Sequence, residues 1–305
     1  MEENKNLYSN GLPFDGHLAK NLEEQVGRVK GKKASLLIID GLQGEGKTTL
    51  LVEIMDEVNR IYGLPPVKLD LTDHPQMAMG NKEFIRFFRQ AKDENLVILG
   101  YDEAMDYNKR GSMTRLNQIL NEVFSKFRGF RIIIVMALPN FCKLDDTLFD
   151  LGIPRGLLHC RDRDDNYGTF DAYSLSGMNW IRFWFDKLPK GAKNMAYGKV
   201  IPNFRGQFKD LEYSRSAKLD ILSTRSKQKS LSEAEIEAEG LMGYNKLATK
   251  CARSIIWVRQ AVSKLNIKSS RLINRTKYFD EYALNRLIEY ANTQKAKKKG
   301  RKRLN

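Results

Sequence analysis

Two rhythms of apolar and polar positions alternate through the first half of the chain. Residues 34–39 form an apolar run that ends in Asp40 and Gly41, as expected of a strand buried on both faces of a parallel sheet. From Lys47 to Tyr62 the pattern changes. Leu50, Leu51, Ile54, Met55 and Val58 recur at helical spacing until Gly63 and the Pro65-Pro66 pair stop the helix. Residues 67–71, 96–99, 131–138 and 157–160 predict four further strands. Residues 81–91 and 113–127 predict helices, with Phe84, Phe87 and Phe88 on one face of the first and Leu116, Ile119, Leu120 and Phe124 striping the second. Strands that alternate with helices imply a doubly wound, mostly parallel sheet.

Beyond residue 160 the rhythm shifts. Residues 169–174 and 179–185 read as strands with alternating and aromatic positions, an antiparallel edge. The expected organisation is a polar N-terminal extension over 1–33, with a short helix near 18–29, then a main α/β domain over 34–185. A basic connecting region over 186–232, a small domain over 233–293 and a disordered basic tail over 294–305 follow.

Charge sharpens this division. The net charge is +15, but residues 1–180 carry 23 Lys+Arg against 26 Asp+Glu, whereas residues 181–305 carry 29 against 11. A back half this basic points to a polyanionic partner, most often nucleic acid. Cys142, Cys160 and Cys251 are far apart, with no zinc or disulfide spacing, and read as reduced thiols of a cytoplasmic protein. The first residues are polar and acidic, unlike a signal peptide, and no apolar run is long enough for a membrane segment.

The main domain carries its chemistry in residues 41–48, Gly-Leu-Gln-Gly-Glu-Gly-Lys-Thr. This is the P-loop spacing between a strand and a helix. Glycines let the backbone wrap phosphates, and the amides of the loop and helix start form an anion nest. Gly41, Gly44, Glu45, Gly46, Lys47, Thr48 and Thr49 are therefore the candidate ATP contacts. Lys47 is expected at the β- and γ-phosphates, and the Thr48 hydroxyl on Mg²⁺. A second signal is the run Leu96-Val97-Ile98-Leu99-Gly100-Tyr101, which ends in Asp102-Glu103. Such a pair lies beside the loop if its strand neighbours the first. Asp102 would then hold Mg²⁺ through water, and Glu103 would orient the attacking water. Alone, the pair also reads as a helix N-cap.

The loop and the Asp-Glu pair together resemble the additional-strand, catalytic-glutamate class of P-loop ATPases. Tyr101-Asp102-Glu103-Ala104 and Met136-Ala137-Leu138-Pro139-Asn140-Phe141 look most like the FtsK–HerA-related motors, including the zonular-occludens-toxin-like proteins of phages and archaeal mobile elements. The resemblance covers residues 34–175. It implies a P-loop NTPase fold, a mostly parallel sheet flanked by helices, and a homo-oligomer, often a ring, in which a neighbour's arginine completes the site. Arg128, Arg131 and Arg155 are candidates among which the sequence does not choose. Two departures stand out. Gly100 and Tyr101 interrupt the apolar run before the acids, and Asn140 stands where these motors often carry glutamine. Asn140 reads equally as a γ-phosphate sensor or as a turn residue after Pro139.

Residues 244–267 predict a helix-turn-helix. Leu247 and Ala248 face inward on a first helix, and Ser254 caps a second. Ile255, Val258, Val262 and Leu265 make its buried stripe. The opposite face, Ser254, Trp257, Arg259, Gln260 and Lys264, would enter the major groove. Arg259 and Gln260 suit guanine or adenine edges, while Lys250, Lys264 and Lys268 suit phosphates. Residues 271–280 and the helix after them resemble the wing of MerR-like winged helix-turn-helix domains, with Arg275 on the wing. A helical oligomerisation or lid domain is the other reading, against which stands the charge of 241–305, 17 basic residues to 3 acidic. The sequence thus leads to a DNA-binding ATPase of a mobile element, phage or virus. A helicase-loader or transposition helper, an ATP-switched transcription regulator and a P-loop kinase with a basic tail are the alternatives.

Overall fold

The computed structural model describes residues 13–14, 16–31, 35–69, 76–93, 96–102, 131–150, 152–163, 166–273 and 276–301. The chain divides into two compact units, residues 1–227 and 228–305.

Five parallel strands form the centre of the first unit: β1 (Ser35–Asp40), β2 (Met77–Ala78), β3 (Ile98–Asp102), β4 (Ile133–Leu138) and β5 (Pro154–Arg163). Antiparallel β6 (Asn166–Tyr173) and β7 (Phe204–Gln207) extend one side, giving the order β2-β3-β4-β1-β5-β6-β7. This is the expected α/β class, a mostly parallel sheet flanked by helices, as in P-loop NTPases.

Alternating side chains of β1 split the core in two, because successive residues of a strand face opposite sides. Leu37 and Ile39 pack with α1 (Gly16–Lys30) and α2 (Lys47–Ile61). Leu36 and Ile38 pack with α3 (Asn81–Asp93), α4 (Asp146–Asp150) and α5 (Leu175–Lys187). Central strands buried on both faces explain why their sequences are continuously apolar.

Four expectations are corrected. The short helix near 18–29 is a 15-residue α1 within the polar extension, and its Leu18, Leu22, Val26 and Val29 are buried. Residues 67–69 are not a strand. The Val67 amide donates to Asp56 Oδ1 at 2.7 Å, and its carbonyl accepts from Arg215 Nη2 at 3.2 Å. Side chains thus take the backbone groups that a ladder would use, and the sheet edge forms at β2 instead. Residues 179–185 are helical, in α5. Ser174 caps that helix, and Met178 and Ile181 turn inward together. Burying two such side chains contributes about 1.5–3 kcal/mol each, more than the roughly 1 kcal/mol span of strand propensities. The connecting region holds β7, a 3-10 helix (Lys190–Lys199) and the start of α6 (Tyr213–Ala238), so the sheet continues past residue 185. The predicted helix over 113–127 lies outside the described residues.

The second unit builds its own core. It contains β8 (Met242–Gly243), α7 (Tyr244–Lys250), α8 (Ile255–Lys264), β9 (Arg271–Ile273), β10 (Thr276–Phe279) and α9 (Glu281–Arg301). Leu247, Val258, Phe279 and Leu287 meet inside it. Helix α9 reaches Arg301, so the expected disordered tail is helical that far; lysine and alanine prolong a helix already nucleated. Among the described residues no helix is long and apolar enough to cross a membrane.

One buried acid makes stability depend on pH. Glu53 on α2 is 4% exposed, and its Oε2 has no hydrogen-bond partner among the described residues. Burial first, then the neighbouring Asp56, pushes its pKa from 4.5 to about 8. Between those values the folded chain holds a proton that the unfolded chain has lost, so stability falls as pH rises, by on the order of 1 kcal/mol per pH unit. Glu53→Gln, which cannot ionise, is expected to flatten this slope in denaturant midpoints measured from pH 5 to pH 8.

Candidate functional site

The P-loop leaves β1 at Gly41 and enters α2 at Lys47. Gly41 has φ 143°, and a β-carbon there would collide with the Glu45 carboxylate and the Cys160 carbonyl, so only glycine fits. The loop closes on itself through two side chains. Glu45 Oε2 accepts from the Leu42 amide, and Lys47 Nζ donates to the Leu42 carbonyl. Both side chains are largely buried. A carboxylate on a loop amide fits a nest built for anions.

Strand β4 stands between β1 and β3. The acid's strand therefore does not neighbour the loop's strand, contrary to the simplest expectation. The two meet because α2 packs across β4 and β3. On its first turn Thr48 Oγ1 donates to Asp102 Oδ2 at 2.8 Å. The hydroxyl and carboxylate thus bring two oxygens together beside the loop, donors of the kind that could hold a hard cation such as Mg²⁺.

Gly100 and Tyr101, which break the apolar run, are packing devices. A β-carbon at Gly100 would strike the Met55 thioether of α2, so glycine lets helix and strand approach. Tyr101 is completely buried on the other face, with its ring 4.8 Å from that of Phe84.

Asn140 follows β4, and its Oδ1 accepts from the Cys142 amide at 2.9 Å, capping the turn Phe141–Lys143. The turn reading describes this geometry. Arg131 precedes β4 and Arg155 begins β5, near the register positions of Ser35 and Leu36. Both therefore lie at the end of the sheet opposite the loop, because parallel strands start where the loop's strand starts. Burial holds the Arg155 pKa below its usual value, with Arg28 adding to the effect. Glu103, Arg128 and Arg275 fall outside the described residues.

A group beneath the loop, centred on Asp40, lies outside the expected site residues. Asp40 is completely buried, one residue before Gly41. Its Oδ1 meets His159 Nδ1 at 2.8 Å, and its Oδ2 accepts from the Phe141 amide at 3.2 Å and from the Tyr197 hydroxyl. The His159 and Tyr197 rings stack at 3.7 Å, 13° from parallel. Burial, then the Asp40 charge, pushes the Tyr197 phenol well above its usual pKa, so it stays a donor. Asp40 thereby ties the loop's strand to β5, to the turn after β4 and to the 3-10 helix. An acid ending an apolar run was the available signal; Tyr197 lies in the segment read as connecting.

In the second unit, Ser254 caps α8 by accepting from the Trp257 amide at 3.2 Å. Val258 and Val262 are buried, whereas Arg259, Gln260 and Lys264 are exposed, as is Lys268. Two positions differ from expectation. Ile255 is exposed rather than inward, and Trp257 is half-buried, its ring 5.9 Å from Tyr290. The helix is rotated so that Val258, Ala261 and Val262 face the core. A hollow of about 780 Å³ between α7 and α8 is lined by Asn245, Thr249, Arg253 and Ser254 among others.

No family model matches the chain, and no curated protein matches it. Among solved structures, a DNA polymerase III gamma subunit-related protein from Thermotoga maritima is similar at 10% identity and a TM-score of 0.31, over 82% of this chain and 73% of that one.

Proposed function

We propose that this protein is a Mg²⁺-dependent ATPase that couples hydrolysis to the handling of DNA. The observation that carries the reading is the Thr48–Asp102 hydrogen bond across an intervening strand. Two distant motifs with complementary roles in metal–triphosphate binding meet at the tip of one sheet. The inserted β4 also supports the resemblance to additional-strand, catalytic-glutamate ATPases.

In this reading the loop amides and Lys47 take the triphosphate. Thr48 and Asp102 would hold Mg²⁺, which would neutralise charge on the β- and γ-phosphates. Glu103 would be the base that orients water, and Asn140, whose Oδ1 caps the turn after β4, would have only its amide NH₂ to offer a γ-phosphate. Glu103→Gln is expected to bind ATP within about threefold of the native chain and to lose turnover by about 10²-fold or more. A variant that still turned over would place the base elsewhere.

The second unit is the DNA module, a winged helix-turn-helix in which α7 and α8 form the motif and β9–β10 the wing. Arg259, Gln260 and Lys264 stand on the exposed side of α8. Arg259→Ala with Lys264→Ala is expected to weaken duplex binding by about tenfold or more and to lower its salt dependence. Basal ATP hydrolysis should be unchanged, and competition binding at two salt concentrations measures the effect. The setting we favour is a mobile element, phage or virus, with the chain as a homo-oligomer. Turnover stimulated many-fold by long duplex would separate a motor from a nucleotide switch.

A further inference from the structure

Helix α5 has a face that the sheet does not use. Met178 and Ile181 are buried, while Ser176, Trp180, Phe183 and Lys187 form an outward ridge. Trp180 is 56% exposed and Phe183 45% exposed. Their rings stand 5.6 Å apart at 83°, and Lys187 Nζ lies 5.7 Å from the Phe183 ring centre. Single exposed apolar residues are ordinary; here two touching aromatics, the second also packed on Trp184, lie beside a cation and leave ring surface open to solvent.

The charge around the ridge is mostly positive. Residues 182–209 contain seven basic residues and one acidic residue. Arg182 and Arg205 are engaged by Asp146 and Asp171. Lys187, Lys190 and Lys199 are exposed at the end of α5 and along the 3-10 helix. Lysine is depleted from the cores of protein interfaces, so the combination fits a polyanion better than a protein. The aromatic faces narrow this further, since a ring stacks only on a base that has left its duplex.

We propose that the α5 ridge is a platform for single-stranded nucleic acid. Bases stack on Trp180 and Phe183, and phosphates meet Lys187 and Lys190. The surface belongs to the first unit, and the inference rests neither on ATP hydrolysis nor on duplex recognition by the second unit.

The full chain tests it. Tryptophan occurs three times, so W184F with W257F leaves Trp180 as the single reporter. Titration with an oligothymidylate of about 15 nucleotides is expected to quench Trp180 fluorescence saturably. In the otherwise native chain, Trp180→Ala with Phe183→Ala should weaken oligothymidylate binding by about tenfold or more, duplex binding by less than about twofold, and W180F should restore most of the loss. Absence of quenching would overturn the proposal. So would equal weakening towards single strand and duplex, or a change in solution mass that made the ridge a contact between copies. The quenching is read on a chain that keeps both ridge residues, so it remains decisive if the double alanine variant does not fold.

Discussion

Lys47→Ala is expected to abolish ATP turnover, lowering it by at least about a hundredfold, the scale of losing one preorganised charge from a phosphoryl-transfer site. Lys47 Nζ donates to the Leu42 carbonyl and is mostly buried at the start of α2. In the proposed site the same ammonium would exchange that carbonyl for phosphate oxygens. Alanine removes the cation and leaves the Leu42 carbonyl short of one partner, a structural cost of about 1 kcal/mol. Fold and function should therefore separate: the thermal midpoint moves by a few degrees at most, while phosphate release disappears. Normal turnover in this variant would refute the assignment of the loop.

Asp102→Asn should have the second-largest effect, in the metal dependence. The amide is nearly isosteric and retains a hydrogen bond to Thr48 Oγ1, so the 2.8 Å contact between α2 and β3 survives. What disappears is a negative charge beside the proposed Mg²⁺ position. The Mg²⁺ concentration for half-maximal turnover is expected to rise about 10–100-fold, the range seen when a group that orients a metal site is altered. Turnover at saturating Mg²⁺ should also fall. A variant with unchanged magnesium dependence would place the cation away from Asp102. Titration of phosphate release against Mg²⁺ at fixed ATP reads both quantities.

Much of this site was legible because its chemistry demands contiguous residues. A P-loop needs glycines, lysine and threonine at fixed spacing, and the flanking strand and helix announce themselves by period. Asp102 was legible as an acid ending a buried strand, although the expected reason was incomplete: α2, crossing β4, brings Thr48 to it. Long-range geometry was not legible. Nothing local says that Asp56 and Arg215 hold Val67 out of a ladder. Nor does the sequence reveal that Tyr197, 157 positions from Asp40, closes over the base of the loop. The aromatic run in α5 misled for a related reason. Trp180, Phe183 and Trp184 suit a strand by propensity, but burial of Met178 and Ile181 on one side decides for a helix. In the second unit the periodic stripe located α8 and its cap, and missed a small rotation because Ala261, not Ile255, completes the buried face.

In the proposed function the glycine loop and the acid two strands away make one metal–triphosphate site. Equilibrium binding of a fluorescent, non-hydrolysable ATP analogue to the intact chain, with and without Mg²⁺, tests it most directly. Saturable binding is expected, tightened by Mg²⁺ in the native chain and much less in Asp102→Asn. Binding that is absent, or that ignores both Mg²⁺ and Asp102, would contradict it.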